Sequence, residues 1–145
     1  NNKPICRSLW CLGIPIGSKV DQEFSIPSWI LENRIFFARF VNRLFSCEGC
    51  VDTYSSCIEI KMHKTRRYIE HGIHFFQDIQ NYLYIHFNIK TTNPFIDKRK
   101  SYRQDGSYTL GIRMKIKHKP SLILFRDQVG LEDPMKQEKL DKILS

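Results

Sequence analysis

Two clusters of side chains in this 145-residue sequence invite a chemical reading. The first is Cys47-Glu48-Gly49-Cys50, a carboxylate between two thiols. As half of a zinc site it needs two more soft ligands, and only Cys6 and Cys11 are placed to join it. As a redox pair it lacks the strand–helix–strand surroundings expected around such motifs. An acid flanked by small residues is the simpler reading. The second is the histidine set His63, His71, His74, His86 and His118, which has no metal-ligand spacing. His71 and His74 read as surface residues at a helix start. Beyond these clusters stands the charge: 23 Lys and Arg against 15 Asp and Glu, a net +8 with a pI near 9.4. Such an excess suits a polyanion, because each cation set on a phosphate releases a condensed counterion. Nucleic acid is the first choice over an anionic membrane surface.

Composition bounds the scaffold that must hold these groups. A hydrophobic share of 41% and an aromatic share of 12% suit one packed core and argue against a disordered chain. No apolar run approaches a membrane span, so no membrane partner is expected. The odd number of cysteines, 5, does not form a secreted disulfide framework and fits a reducing compartment, cytoplasmic or organellar. Residues 1–30 carry turn chemistry at Leu12 to Lys19 and a proline at 27, and read as a lead-in or linker before a domain at 31–145.

Within that domain the spacing of Ile35, Phe36, Phe37, Phe40, Val41, Leu44 and Phe45 predicts an amphipathic helix from about Ile30 to Cys47, with Gly49 as its stop. Residues 51–62 alternate and predict one long strand, followed by a short strand near Thr65–Ile69. A helix is expected from about Gly72 to Phe87, ended by Asn88 in the left-handed region. Strands at about 90–103 and 107–117 flank a hairpin turn at Asp105-Gly106. Pro120 opens a helix to about Gln128, and Pro134–Leu144 closes the chain. The expected class is α+β: a four-stranded antiparallel sheet backed by helices.

The stretch Val41-Asn42-Arg43-Leu44-Phe45-Ser46-Cys47-Glu48-Gly49 resembles the motif of the LAGLIDADG homing endonucleases. Later segments resemble the second helix, final strand and terminal helices of intein-type members in the right order: Asp78 to Leu83, His86 to Ile89, Tyr108 to Ile112, Ile116 to Lys119, and Phe125 to Gly130. The resemblance implies an αββαββα fold and metal-dependent double-strand cleavage of a long duplex DNA target, as in intron and intein homing. It makes Glu48 the motif acid and, with the Gly49 carbonyl, a ligand for Mg²⁺ or Mn²⁺, since hard oxygens suit such ions. It places Lys119, or its neighbour Lys117, as the basic residue near the cleavage centre.

The resemblance also makes the sheet the DNA-reading surface. Thr53, Ser55, Lys61, Lys64, Arg66, Lys98, Lys100, Arg103, Arg113 and Lys115 are the expected contacts, phosphates taking most cations and base edges the rest. Val41, Arg43, Leu44 and Cys47 would face a second motif helix, in a homodimer or in the other half of a longer protein. Three positions depart from the motif. Ser46 replaces its first acid, and Asn42 and Arg43 replace two small residues. A buried, unpaired Arg43 at a helix seam would be costly. The same fold without cleavage, as a DNA- or RNA-binding protein, is the alternative that these departures allow.

Overall fold

The computed structural model describes residues 3–13 and 17–145, without the side chains of residues 3, 6, 9 and 10. The Cys6 thiol and residues 14–16 of the expected turn therefore lie outside the described residues. Helix α1 covers Lys3–Cys11 and a short α2 covers Ser28–Leu31. Then follow α3 (Arg34–Glu48), β1 (Gly49–Asp52), β2 (Cys57–Thr65), α4 (Ile69–Phe87), β3 (Phe95–Tyr102), β4 (Tyr108–Ile116), α5 (Lys119–Gln128) and α6 (Pro134–Leu144). All strands are antiparallel, in the order β1-β2-β4-β3, so the class is α+β. No described helix is long and apolar enough to cross a membrane.

Local chemistry sets the ends of these elements. Asn33 caps α3 by accepting from the amides of Ile35 and Phe36, and Asp133 caps α6 through those of Met135 and Lys136. Asn88 ends α4 with φ 57°, and its amide reaches back to the helix carbonyls. The β3–β4 turn uses Asp105, whose Oδ1 accepts from Ser107, and Gly106 at φ 82°.

Strand parity sorts the sheet into two faces. Ile58, Ile60, Ile112, Met114 and Ile116 are buried against Phe37, Val41 and Phe45 of α3 and Phe76, Ile79 and Leu83 of α4. Ile26, Ile30 and Leu31 belong to the same core, so the stretch before α3 is packed on it too. At Gly72 the sheet and α4 come close enough that a Cβ would collide with Ile112 and press on Lys64. The opposite face carries Glu59, Lys61, His63, Arg113 and Lys115, and no helix among the described residues packs over it.

Four expectations about elements are corrected. The strand expected over 51–62 is two strands, β1 and β2, folded at residues 53–56. Asp52 Oδ1 accepts from the amides of Tyr54 and Ser55, and Ser56 takes φ 47°, which makes a tight turn inside an unbroken alternation. The strand expected near Thr65–Ile69 is a 3-10 turn at Arg66–Tyr68 running into α4. The helix expected to run on from Ile30 is broken between α2 and α3, where Asn33 recaps it. Ile35 and Phe36, expected on its inner face, are 70% and 50% exposed, and Phe37 is the inward residue.

Candidate nucleic-acid interface

The open face of the sheet is a charge network across three strands. Arg113 on β4 donates from Nη1 to Glu59 on β2 (3.0 Å) and from Nε and Nη2 to Asp97 on β3 (3.1 and 2.6 Å). Lys115 reaches the other Glu59 oxygen at 2.7 Å, and Lys61 reaches Asp97 at 3.4 Å. Gly111 lies beneath that last pair, and a Cβ there would meet the Lys61 chain. The bonds from Arg113 hold the Asp97 carboxyl below the usual range, and the hydrogen bond to Glu59 raises Lys115. His63 is shifted down, first by burial and then by Lys61.

Lys61, Arg113 and Lys115 thus meet on one face as expected, and their charge is largely matched by Glu59 and Asp97. Along the outer strand, Lys98, Arg99 and Lys100 are exposed and form no ion pair among the described residues. Lys100 lies over the Tyr108 ring, 4.4 Å from its centroid. Arg103 pairs with Asp21 at 3.0 Å, and Arg66 is exposed in the 3-10 turn.

Four expected contacts stand elsewhere. Lys100 pairs with Leu110 and so lies on the helix-facing side of the outer strand. Thr53 and Ser55 are exposed in the β1–β2 turn rather than along a strand. Lys64 is 1% exposed on the helix-facing side, where its ammonium donates to the carbonyls of Lys19 and Gln22 and lies over the Phe24 ring. Burial lowers its pKa. Even parity along β2 puts Lys64 with Ile60 and Met62, and the carbonyls of the lead-in supply what water would.

Glu48 ends α3 and is exposed, with Lys19 at 3.9 Å. It borders a cavity of about 430 Å³ between the lead-in, the outer side of α3 and the part of β2 that extends past β1. Phe40 and Leu44 form its apolar wall, and Lys61 and His63 line it near Glu48. Gly49 must make the turn from α3 to β1, since a Cβ there would strike the Phe45 carbonyl.

Lys117 and Lys119 are exposed after β4, and Lys119 begins α5. The registers Gly49↔Ile60 and Ile60↔Met114 put Lys117 about 10 Å farther along the sheet and about 10 Å across it from Gly49. Within one chain, Lys19 and Lys61 are therefore the cations at the Glu48 cavity.

The positions of α3 that depart from the resembled motif make contacts within the chain. Asn42 Nδ2 donates to the Val129 carbonyl at 3.0 Å, and Ser46 Oγ donates to the Asn42 carbonyl and accepts from the Glu132 amide. Lys136 donates to the Ser46 carbonyl. Arg43 is exposed and pairs with Glu132 at 2.6 Å, so no unpaired charge is buried. Val41, expected on an outer seam, is fully buried in the core, because Phe37, Val41 and Phe45 repeat every four residues on the inner side. Phe36, Phe40, Leu44 and Cys47 form the outer side. Among the described residues no three His, Cys, Asp or Glu side chains group to hold a metal. Asp97 and Glu132 could not be found from spacing: a shift in the β3–β4 pairing hides the first, and the second acts from a loop.

No protein-family model matches this chain. It is 26% identical over 134 residues, 88% of its own length, to the tRNA-splicing ligase RtcB of Pyrococcus abyssi. The match spans 14% of the length of that ligase, so the chain is similar to a small part of it.

Proposed function

We propose that this chain is a LAGLIDADG-type homing endonuclease subunit or half that reads a long duplex DNA site with the open face of its sheet and cuts it at Glu48. The observation that carries the reading is the junction of α3 with the sheet. A helix with the motif's pattern ends in an exposed carboxylate and passes through Gly49 directly into β1, in the order helix, two strands, helix, two strands, two helices. The strands leave an open, cation-bearing face beside that acid.

The donor chemistry suits a divalent ion only in part. Glu48 offers hard oxygens at a helix C-terminus, where the peptide dipoles favour a cation. Mg²⁺ commonly takes one or two carboxylates and completes its shell with phosphates and water. One chain supplies one such acid, and the Gly49 carbonyl is the further oxygen that the resemblance offers. The metal, when bound, would polarise the phosphate and lower the pKa of an attacking water. The residues of the chain would hold the duplex and keep Glu48 over the backbone.

Cutting both strands needs a second acid, from a second copy or from the other half of a longer protein. The outer side of α3, with Phe36, Phe40, Leu44 and Cys47, is the surface for that partner. Pairing of Arg43 with Glu132 removes the self-repulsion that a two-fold axis would otherwise impose at the helix. Cleavage of a plasmid carrying the native insertion locus, in Mg²⁺ and not in EDTA, tests the reading. Glu48→Gln is expected to abolish cleavage and keep binding, and undiminished cleavage by that variant would refute the assignment.

A second reading keeps binding without cleavage. It is favoured by Ser46, which stands at the motif's first acid and is fully engaged by Asn42 and Glu132. The similarity to part of a tRNA-splicing ligase makes RNA the competitor to try in the same assay. Binding without cleavage in any divalent ion would select this reading.

A further inference from the structure

The open face treats one cation differently from the rest. Arg113 sits on an inner strand, between Glu59 on one neighbour and Asp97 on the other. A guanidinium has five N–H donors. Glu59 and Asp97 accept from three of them, which leaves two on nitrogens whose positions are already fixed. The side chain remains 30% exposed, on the face that no described helix covers. Lys98, in the stretch of β3 where the pairing with β4 shifts, is the opposite case: long, exposed and without an ion pair among the described residues.

Two carboxylates beside Arg113 make it a poor phosphate ligand, since an incoming phosphate would meet Glu59 and Asp97 at close range. A neutral base edge meets no such repulsion. The N–H left on Nη1 and the one left on Nη2 suit guanine, which presents O6 and N7 as adjacent acceptors in the major groove. Adenine places an amine beside N7 and would set donor against donor. The acids also hold the guanidinium before DNA arrives, so little side-chain freedom is lost on docking.

We infer that Arg113, clamped by Glu59 and Asp97, is a guanine-reading residue of the sheet, while Lys98 on the outer strand grips a phosphate. This rests on the open face meeting duplex DNA, as proposed above. It predicts guanine at a fixed position of the bound site.

The test is selection from a pool of randomised duplexes in EDTA, using the full chain and its Arg113→Gln, Arg113→Lys and Lys98→Gln variants. Arg113→Lys keeps a charge between the two acids and guards against a folding failure of Arg113→Gln. The wild type is expected to enrich a site with an invariant guanine, and Arg113→Gln to lose that preference by about tenfold, while Arg113→Lys, whose ammonium can still donate to O6 and N7, keeps part of it. Lys98→Gln should select the same site and lower the slope of log affinity against log salt by about 0.9. The inference is overturned if Arg113→Gln, shown folded by its circular dichroism, selects the same guanine. It is equally overturned if the Arg113 variants weaken all sequences alike, which marks a phosphate contact. Failure of the wild type to bind any duplex would instead bring down the reading beneath it, and this inference with it.

Discussion

Lys61 and Lys64 are three residues apart on β2 and lie on opposite faces of the sheet. Lys64 is enclosed by two lead-in carbonyls and a phenyl ring, and its ammonium fastens residues 19–24 to the sheet. Lys61 is a third exposed and leans across Gly111 to a single carboxylate. A cation on the helix-facing side is thus a structural tie with no water to replace its partners. A cation on the open face can exchange its partner for solvent or for a ligand. The difference teaches that the charge count of this sheet overstates what is free for DNA: Lys64 is withdrawn, and Lys61, Arg113 and Lys115 are shared with Glu59 and Asp97.

The largest effect should come from breaking the inner tie. Lys64→Ala is expected to lower unfolding stability by about 3 kcal/mol, since it removes charge-assisted bonds and leaves two carbonyls unpaired. Lys61→Ala should cost under about 1 kcal/mol, as partly exposed ion pairs do. Urea unfolding of both variants checks this, and similar losses would erase the contrast between the faces.

The two glycines that allow these contacts offer a second contrast. Gly72→Ala forces a methyl against buried Ile112 and Lys64, with an expected loss of about 1–2 kcal/mol after its gain in helix propensity. Gly111→Ala meets the flexible end of Lys61, which can swing aside, so stability should change by about 0.5 kcal/mol or less. Thermal unfolding midpoints distinguish the two. A larger loss at Gly111 would mean that the open-face network is a structural necessity.

A third test uses acid. The bonds from Arg113 hold the folded Asp97 below its ordinary value of 3.8. The stability it contributes is therefore present above pH 3.8 and is lost as pH falls from there through the folded value. Asp97→Asn should flatten this part of the acid limb in urea midpoints taken against pH. An unchanged limb would show that the network adds little to folding.

The smallest effect is expected at Lys19. Its side chain and that of Glu48 are 62% and 53% exposed, so Lys19→Ala should shift stability by under about 0.5 kcal/mol. The Lys19 carbonyl stays in place for Lys64. A larger loss would show that the lead-in is held from the Glu48 side as well.

Much of the α+β architecture was legible before any coordinates. Turn and cap residues act over a few positions, which is why Asp105-Gly106, Asn88 and Pro134 mark their elements so well. Alternation within a strand fixed which residues share a face, but it ran unbroken through 53–56, where only the Asp52 side chain and the φ of Ser56 make the fold-back. On α3 the sequence limited the inward positions to two adjacent stripes. Packing on the sheet chose Phe37, Val41 and Phe45 over Ile35 and Phe36.

The candidate site shows the same division. Glu48 and the basic strands could be named from their types and order. Partners far apart in the chain were decided by tertiary structure alone: Lys64 with the lead-in carbonyls, Arg43 and Ser46 with Glu132 and its amide, and Arg113 with Glu59 and Asp97. Residue type sets what a side chain can donate or accept, whereas the packing of distant segments sets who receives it and whether water can compete.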